Sequence, residues 1–546
     1  MTRLALVLSG GVSLGTYVAG AALEILRAIE QDQGRGLRLH VVAGSSAGAL
    51  TAALAGRAMS VNPELIPWLE KVWVDVLDSD LLLNAARPDR SGFMDVSAVD
   101  ELTRALITAG PASDDRPSAA CGDPLRVGLS LSNLEGIAYD FRYGFLNPPE
   151  RFYGSRVHRD WIEFELGPDL TATDGVWEEL RDAALASAAF PFAFPPRPLE
   201  RRVSDYPGAR FPDDVGTTVR MSYADGGLFD NEPVRLAKQL VERSDDHRSA
   251  DWRYVLVDPY MGGDRDGTAA GVAQSTSHGR LAGQLTRALL GQASVRDWLE
   301  ANKTNARLEI LDSLIDRLPD LGDSLRDPAA VHLGRSIGEL AEQVAEMKVA
   351  VSREPLPETG DPVLDYLDRN LDRIQTDPRF LPVLGRFETR AARTRMAKLI
   401  FVLEAAAGLR DKDVMPLYLV APREPETLHG DFLANFGGFF SREWRANDFR
   451  AGRRDARRLL EEQLGDVVNY RPAADDAYRV EEMDASFDAL PGEARKSLER
   501  FVQAEAGRVV DGLKPGFPAS LIGWVWKPVV RRWAGRQIVD GLRRVD

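Results

Sequence analysis

The stretch LRLHVVAGSSAGALTAALAGRA, residues 37–58, decides the fold of this chain. It opens as a β-type apolar run, turns at the five residues GSSAG (44–48), and continues as an alanine-rich helical run. An earlier apolar run, residues 4–8, is closed by the turn SGG and followed by a helical pattern over residues 13–29. A strand, a helix, a strand and a helix within 58 residues predict an α/β fold with a parallel sheet covered by helices.

Later segments extend this pattern and interrupt it with a helical region. Further strands are predicted at residues 125–131, 254–257 and 417–420, and residues 132–143 are expected to form a hairpin with the first of them. Segments of helical spacing, joined by charged connectors that contain proline, lie at residues 307–318, 337–351 and 395–409. We expect four regions: an α/β core over 1–262, a helical insertion over 263–410, a return strand with a mixed helical region over 411–513, and a tail over 514–546.

Composition and charge exclude several classes of protein. The 546 residues are 44% hydrophobic and 28% charged, which suits a globular protein rather than a disordered chain. The net charge of −15 argues against a nucleic-acid binder, which normally carries a basic face. Cys121 is the only cysteine, so an internal disulfide and a cysteine-rich zinc site are excluded. The six histidines are scattered without metal-ligand spacing, and we expect neither a metal nor an organic cofactor.

The sequence also carries expectations about localisation. The first apolar run has five residues, which is too short for a secretory signal. The longest uncharged stretch, residues 41–56, has 16 residues, whereas a membrane-spanning helix needs about 20 strongly apolar ones. Basic charge comes from 59 Arg and only 9 Lys, a balance typical of GC-rich bacterial genomes. We therefore expect a cytoplasmic bacterial protein.

Ser46 is the candidate nucleophile. The residues GSSAG fit the pattern G-x-S-x-G, in which a serine occupies a tight strand-to-helix turn with its hydroxyl exposed and small neighbours around it. The following helix adds free N–H groups and the positive end of its dipole, both of which favour a developing negative charge. An ordinary Gly/Ser turn is the alternative, but the strand before the motif and the helix after it favour a nucleophile.

A second glycine turn, SGGVSLG (9–15), directly follows the first strand. Parallel neighbouring strands place this turn beside Ser46 at the carboxyl ends of the sheet. The backbone N–H groups of Gly10, Gly11 and Val12 are then expected to face the carbonyl oxygen of a substrate, as in an oxyanion hole. Phosphate binding is the alternative, although GxGxxG is not in register and Thr16 stands where GxxxxGK[ST] requires lysine.

Asp225 is the candidate base, in the segment YADGGLFDNEPV (223–234). A carboxylate followed by two glycines suits a tight turn in which the side chain approaches another loop, and a plain Asp-Gly turn is the alternative. No histidine follows Asp225 in a recognisable loop motif, unlike the late histidine of α/β-hydrolases. A serine–carboxylate dyad needs no histidine, because the carboxylate itself acts as the base.

Together these three motifs resemble those of the patatin-like phospholipase family, and more closely its bacterial patatin-related branch. GSSAG is similar to the family's nucleophile elbow, residues 10–15 to its oxyanion loop, and DGG at 225–227 to its D-G-[GA] motif. LASAAFPFAFPP (185–196) and residues 428–456 are similar to further segments of the family. The oxyanion loop departs from the family pattern, because Val12 and Leu14 stand where a third glycine and then arginine or lysine are usual.

The resemblance implies a patatin-like three-layer fold with a parallel-rich sheet, whose catalytic core is residues 1–262, plus the helical insertion and the C-terminal helical region. It implies a serine acyl hydrolase that cleaves lipid esters, of phospholipase A or lysophospholipase type, through an acyl-enzyme on Ser46 with Asp225 as the base. A lipid or phospholipid is then the expected substrate, and no nucleic acid is expected. A catalytically silent scaffold of this fold and a nucleotide-binding α/β protein are the alternatives.

Two other sets of residues enter the functional prediction. Phe190, Phe192 and Phe194 are candidates for lining an acyl groove, because ligand sites are mostly apolar, and a place in the core is the equal alternative. Ser324 lies in GDSL (322–325), the signature of another lipase class. We expect no catalytic role for Ser324, because it lies inside the charged helical insertion with no strand before it.

The tail over residues 514–546 combines basic and aromatic side chains. It has seven basic residues against one acidic residue over 514–544, with Trp524, Trp526 and Trp533 among them. Arginine and tryptophan on opposed helix faces are typical of an interfacial membrane helix, so peripheral membrane contact is one expectation. A terminal helix docked on the protein is the other, and it is slightly favoured because one such helix has modest apolar area. The sequence carries no signal for an oligomeric state.

Overall fold

The computed structural model of the protein describes most of the chain up to residue 500. The described residues are 1–82, 94, 96–109, 116–143, 151–191, 193–212, 214–244, 246–247, 250–261, 304, 337–345, 361–406, 415–423, 428–430, 435–484 and 486–500. Phe192, Ser324, the predicted helix at 307–318 and the tail over 514–546 lie outside them.

Within the described residues, nine strands form one sheet. The strands are β1 Thr2–Leu8, β2 Leu37–Gly44, β3 Cys121–Tyr143, β4 Arg151–Leu166, β5 Arg197–Arg202, β6 Ala209–Arg210, β7 Thr218–Ala224, β8 Trp252–Val257 and β9 Leu417–Val420. Their order along the main path is β5-β7-β3-β2-β1-β8-β9, and β4 and β6 also pair with β3. Neighbours from β3 to β9 along this path run parallel, whereas β4, β5, β6 and β7 pair antiparallel. The predicted α/β fold with a parallel-rich sheet is confirmed.

Helices surround this sheet. The first seven are α1 Gly15–Gln31, α2 Ala47–Ser60, α3 Trp68–Glu70, α4 Ser79–Leu82, α5 Ser97–Thr103, α6 Val176–Ser187 and α7 Val234–Glu242. Residues 337–345 are helical, and α8 Pro362–Thr376, α9 Leu381–Leu384, α10 Arg390–Ala406 and α11 Arg442–Glu462 follow. Short 3₁₀ or π turns lie at Val12–Leu14, Pro63–Leu65, Lys71–Val76, Arg104–Ala109, Val203–Asp205, Gly226–Leu228, Gly437–Phe440 and Asp475–Tyr478.

The burial of β1 explains its continuous apolar sequence. Leu4, Leu6 and Leu8 enter the large cluster formed with α1, α2 and α11, and each is completely buried. Ala5 and Val7 face the opposite side, where they join a cluster that includes α7. A strand covered on both faces has no solvent side, so polar residues do not alternate along it.

Strand register brings the candidate turns to one edge of the sheet. Leu8 at the end of β1 pairs with Gly44 at the end of β2, and Gly44 pairs with Leu129 of β3. The antiparallel strand β7 ends at Ala224, which pairs with Ser132 of β3, three residues beyond Leu129. The turns after β1, β2 and β7 therefore emerge close together.

The hairpin after β3 differs from the sequence prediction. Residues 132–143 continue β3 instead of returning along it, and β4 supplies the antiparallel partner. The ladder is irregular between Ser132 and Ile137, where Gly136 has φ +71° and donates its N–H to Asn133 Oδ1 at 2.9 Å. The glycine at this bulge is a typical turn residue, which explains why the sequence predicts a hairpin here, although the strand direction does not reverse.

The region after the insertion is built into the core. The predicted return strand is confirmed as β9, in which Leu417 pairs with Tyr254 of the parallel strand β8. Helix α11 lies against α1 with the two backbones in contact. A Cβ atom on Gly20 would lie 2.1 Å from the Phe449 carbonyl oxygen, and one on Gly452 would lie 2.0 Å from the Tyr17 carbonyl oxygen. Glycine at both positions allows this close approach.

The helices α8, α9 and α10 have an apolar cluster of their own. Ile374 of α8, Leu384 of α9 and Phe401 of α10 are almost fully buried within it. This cluster is separate from the clusters on the two faces of the sheet. The inserted helices therefore pack mainly against one another.

One helical segment within the described residues, Val12–Gln31, is long and apolar enough to cross a membrane, with a mean hydropathy of 1.4. However, 94% of this segment is buried inside the protein. It consists of α1 and the turn before it, packed against the sheet and α11. Its apolar composition is accounted for by its place in the core.

Candidate active site

Ser46 occupies a strained turn between β2 and α2. Its backbone has φ +52° and ψ −123°, a conformation that non-glycine residues rarely adopt and that costs about 1–3 kcal/mol. The Ser46 N–H donates to Ser187 Oγ at 3.0 Å, which helps to hold the turn. Close packing requires glycine nearby, because a Cβ atom on Gly48 would lie 2.2 Å from the Leu8 carbonyl oxygen. Close packing of the backbone thus explains why the residues around Ser46 are small.

The Ser46 hydroxyl is paired with the Asp225 carboxyl group. Ser46 Oγ donates to Asp225 Oδ2 at 2.6 Å, and the Gly227 N–H donates to Asp225 Oδ1 at 2.8 Å. The backbone of Asp225 is fixed as well, because its N–H donates to the Ala189 carbonyl at 2.9 Å and its carbonyl accepts from Ser132 Oγ at 2.7 Å. Ser46 is 6% exposed and Asp225 is 1% exposed. The structure therefore brings together two residues 179 positions apart.

Burial sets the proton affinity of Asp225. Removal from water raises the pKa of its carboxyl group to about 7, and the hydrogen bonds from Ser46 and Gly227 act in the opposite direction. A carboxylate with a pKa near neutral is a stronger base than an ordinary aspartate. It also remains substantially ionised near pH 7, which is the balance that general-base catalysis requires.

The glycine turn after β1 lies directly against Ser46. A Cβ atom on Gly10 would lie 2.9 Å from Ser46 Cβ and 2.3 Å from Asn231 Oδ1, so only glycine fits there. The Gly10 N–H donates to the Asn231 carbonyl at 3.1 Å. This differs from the expectation that the Gly10 N–H faces a substrate, because this N–H is already hydrogen-bonded to the Asn231 carbonyl. Gly10 instead provides the space for close approach.

The next residues present backbone donors. Val12 has φ +53°, which is unusual for a β-branched residue, and it begins the 3₁₀ turn that leads into α1. No acceptor in the described part of the chain takes the N–H groups of Gly11 and Val12. The same holds, over those residues, for the N–H of Ala47, the first residue of α2. The turns that flank Ser46 therefore hold three N–H groups that are available to an incoming oxygen.

An apolar cavity opens at Ser46. Counted with the part that is open to solvent, its empty space is about 640 Å³. Its walls include Val12, Leu50, Trp73, Leu77, Phe194 and Phe439. A second apolar cavity of about 380 Å³ shares Leu50, Trp73, Leu77 and Val99 with the first. Ser46 thus lines the first of two neighbouring apolar cavities.

The three candidate phenylalanines have different outcomes. Phe190 and Phe194 both line the cavity, and Phe190 also packs edge-to-face against Phe436, with ring centroids 5.5 Å apart. Phe192 lies outside the described residues. Most of the remaining wall comes from residues that carry no motif, such as Trp73 and Leu77. Apolar residues of this kind are placed by tertiary packing, so local sequence could not select them.

Three supporting polar residues were not found from the sequence. Asn231 links the glycine turn to the Asp225 loop, Ser187 holds the Ser46 backbone, and Ser132 holds the Asp225 carbonyl. Asn231 lies in the same segment as the D-G-G motif, and Ser187 lies in the small-residue stretch before it. For Asn231 and Ser187, the position close to a motif was the available signal, and Ser132 had no such signal. Their hydrogen bonds depend on strands that are distant in sequence.

Comparison with known proteins identifies two matched regions. Residues 416–472, which contain β9 and α11, match a family model described as a protein of unknown function (DUF3376). A relative, the uncharacterized protein y4iI of Sinorhizobium fredii, is 24% identical over an alignment that covers 43% of this chain. The alignment spans 45% of that relative's own length, so the chain covers less than half of it.

The second matched region contains the candidate site. The model of the patatin-like phospholipase family matches residues 6–238. This range includes Ser46, Asp225 and both glycine turns, and it agrees with the mixed α/β sheet and its surrounding helices. Residues 6–238 of this chain therefore match the patatin-like phospholipase family as one domain.

Proposed function

We propose that the protein is a serine acyl hydrolase that cleaves lipid esters, of phospholipase A or lysophospholipase type. The observation that carries the proposal is the 2.6 Å hydrogen bond between Ser46 Oγ and Asp225 Oδ2 at the wall of an apolar cavity. A catalytic nucleophile needs a base within about 2.6–3.2 Å, and this pair meets that requirement. A lipid acyl chain is the ligand that best matches the cavity walls.

In the first half of the proposed reaction, Asp225 accepts the proton of the Ser46 hydroxyl while Ser46 Oγ attacks the ester carbonyl carbon. The carbonyl oxygen becomes an oxyanion, which receives hydrogen bonds from the N–H groups of Gly11, Val12 and Ala47. These donors are fixed before the substrate binds, so little reorganisation is needed when the charge develops. The tetrahedral intermediate then expels the alcohol, which takes the proton from Asp225, and the acyl group remains on Ser46.

The second half repeats these steps with water. Asp225 accepts a proton from a water molecule, and the resulting hydroxide attacks the acyl carbonyl carbon. The same N–H groups stabilise the second tetrahedral intermediate. When this intermediate collapses, Ser46 Oγ leaves and regains its proton from Asp225, which releases the fatty acid and restores the dyad.

The test of this proposal is covalent labelling with a fluorophosphonate probe, together with hydrolysis of a short soluble ester. We expect the wild type to be labelled at Ser46, and Ser46→Ala to abolish both labelling and hydrolysis. Asp225→Asn should remove nearly all hydrolysis, because its amide cannot accept the proton. The double variant should be little worse than either single variant, since residues that act as one unit are non-additive.

Ser324→Ala is the matched control, because Ser324 is the serine of the other lipase motif in this chain. It should leave both labelling and turnover unchanged. Labelling that survived in Ser46→Ala and vanished in Ser324→Ala would refute the assignment. A wild type that is neither labelled nor active would favour a catalytically silent scaffold.

A further inference from the structure

Ser13, the residue after Val12, is held by the region that follows the helical insertion. Its side chain is completely buried. Ser13 Oγ donates to the Gly430 carbonyl at 3.1 Å and accepts the Gly438 N–H at 3.1 Å. One hydroxyl of the oxyanion turn thus bridges two glycines that are more than 400 residues away in sequence. Each bond therefore joins the patatin-like domain to the region over 416–472.

The two glycines are themselves fixed by α11. The carboxyl group of Asp448 accepts the His429 N–H at 2.9 Å and the Gly430 N–H at 2.8 Å, and it is fully buried. Arg445, also on α11, donates from Nη1 to the carbonyls of Gly438 and Phe439, each at 3.0 Å. Space is also tight, since a Cβ atom on Gly438 would lie 2.8 Å from Ser13 Oγ.

Helix α11 is in turn fixed on α1, the helix that begins at the oxyanion turn. The backbones touch at Gly20 and Gly452, as described above. Arg453 Nε donates to Glu24 Oε2 at 2.7 Å, and both side chains are buried. Tyr17 Oη donates to Asp455 Oδ2 at 3.0 Å. The support of Ser13 therefore rests on a rigid, buried interface between the two helices.

The strain at Val12 shows why such support matters. A β-branched residue at φ +53° relaxes unless its surroundings determine its conformation, and Ser13 is its immediate neighbour. We propose that the region over 416–472 acts as a clamp on the oxyanion turn, in which Ser13 and Asp448 are positioning residues that hold the Gly11 and Val12 N–H groups toward the substrate. This inference rests on the proposed function, and it gives the region over 416–472 a role in positioning the oxyanion donors.

Ser13→Ala tests the clamp, because it removes both hydrogen bonds and adds no bulk. We expect kcat for a short soluble ester to fall about 10–100-fold with KM nearly unchanged, since the lost geometry matters only once the oxyanion forms. Affinity for a trifluoromethyl ketone, which forms a tetrahedral adduct on the serine, should fall by the same factor. In Asp448→Asn, the side-chain NH₂ faces one of the two backbone N–H groups of His429 and Gly430, so one of these hydrogen bonds is lost. This variant should therefore also lower kcat and inhibitor affinity.

Tyr206→Phe is the matched control. It removes a buried hydrogen bond to Asp160 Oδ2, which belongs neither to the turn nor to the interface between α1 and α11. It should lower the melting temperature as Ser13→Ala does, while kcat and inhibitor affinity remain at wild-type values. Wild-type kcat in Ser13→Ala would overturn the clamp, and so would an equal loss of kcat in Tyr206→Phe.

Amide hydrogen exchange separates failure of the clamp from failure of the proposed function. Peptides covering residues 9–15 should exchange faster in Ser13→Ala and Asp448→Asn than in the wild type, and at the wild-type rate in Tyr206→Phe. If the wild type neither hydrolyses esters nor reacts with the probe, the proposed function fails, and these exchange rates still decide the clamp. Unchanged exchange over residues 9–15 in Ser13→Ala would overturn it.

Discussion

The carboxyl group of Asp225 lies inside the protein, and among the described residues it accepts hydrogen bonds from Ser46 and Gly227. Its burial favours the neutral form, which is why its pKa rises to about 7. The same environment makes the ionised group a strong base. These properties affect both turnover and stability.

The first consequence is a pH-dependent rate. Because the proposed reaction needs ionised Asp225, kcat/KM should fall about tenfold per pH unit below about pH 7 and level off above it. The measurement is hydrolysis of a soluble ester from pH 5 to pH 9, with protein stability checked at each value. A rate that stays flat between pH 5 and pH 8 would contradict Asp225 as the base.

The second consequence concerns the free energy of unfolding. Since the folded-state pKa lies above the ordinary aspartate value of 3.8, the stability that this group contributes is fully present below about pH 3.8 and is lost as the pH rises through about 7. Asp225→Asn removes this titration. Its stability relative to the wild type should therefore increase between pH 5 and pH 8, by on the order of 1–3 kcal/mol. Urea unfolding at both pH values measures the difference, and an equal difference at both would disprove the linkage.

The hydrogen-bonded pair Ser46 and Asp225 could be predicted from sequence because each residue lies in a short motif whose shape is local. Ser46 needs only a strand, small neighbours and a helix, and Asp225 needs only two glycines after it. The role of Gly10 could not be predicted, because it depends on where the Asn231 carbonyl lies. That carbonyl reaches Gly10 only after the sheet has brought the end of β1 beside the loop that follows β7.

Among the elements around the site, α2 borders both apolar cavities, and we take the two cavities together as the space for the acyl chain. Leu50 of α2 lies on the walls of both, as do Trp73 and Leu77. A long acyl chain that fills the first cavity would have to pass these side chains to reach the second. Leu50 is therefore placed to influence the length of the chain that binds.

Leu50→Phe adds bulk at this junction and should shorten the preferred acyl chain. We expect the ratio of kcat/KM for a dodecanoyl ester to that for a butanoyl ester to fall at least about tenfold, because apolar contacts are worth about 1–3 kcal/mol per methylene. Turnover of the butanoyl ester is the internal control. Leu50→Ile, which conserves volume, should keep the wild-type ratio. An unchanged ratio in Leu50→Phe would mean that the acyl chain does not pass Leu50.

The elements themselves were predictable to different degrees. β1 and β2 are mostly apolar runs buried within the sheet, and β9 is a short apolar run at the end of the strand order, so their sequences identify them directly. The edge strand β5, with the sequence RPLERR, alternates exposed residues with less exposed ones and was not predicted. Strand β4 likewise mixes charged and aromatic residues. Strands of this kind depend on their partners, and local sequence gives little sign of them.

At the scale of the whole molecule, the connection from β8 to β9 explains the helical insertion. These strands are parallel neighbours, so the chain must travel the length of the sheet between Val257 and Leu417. Such a crossover needs only about a dozen residues. The extra length accommodates helices α8, α9 and α10, which bury an apolar cluster of their own. We therefore interpret the insertion as an enlarged crossover.

Replacing residues 263–410 with a flexible linker tests this interpretation. A strand of six residues spans about 20 Å, and a Gly/Ser linker of 20 residues reaches about 22–27 Å on average. The protein with this linker should keep probe labelling at Ser46 and turnover of a soluble ester within a few-fold of wild type. A variant in which only five residues in total join Val257 to Leu417 is the control, because five residues reach only about 11–13 Å and should prevent β9 from pairing. Loss of labelling with the 20-residue linker would show that the insertion supports the site.

The contact between α1 and α11 also has a consequence for synthesis of the chain. Tyr17 and Asp455, which meet across this contact, are 438 residues apart. At about 5–20 residues per second, a ribosome takes roughly 20–90 s to add the residues between them. During this time the apolar face of α1 that α11 covers lacks its partner helix. A newly made chain must therefore protect this face, through transient contacts or a chaperone, until α11 has been made and can pack against it.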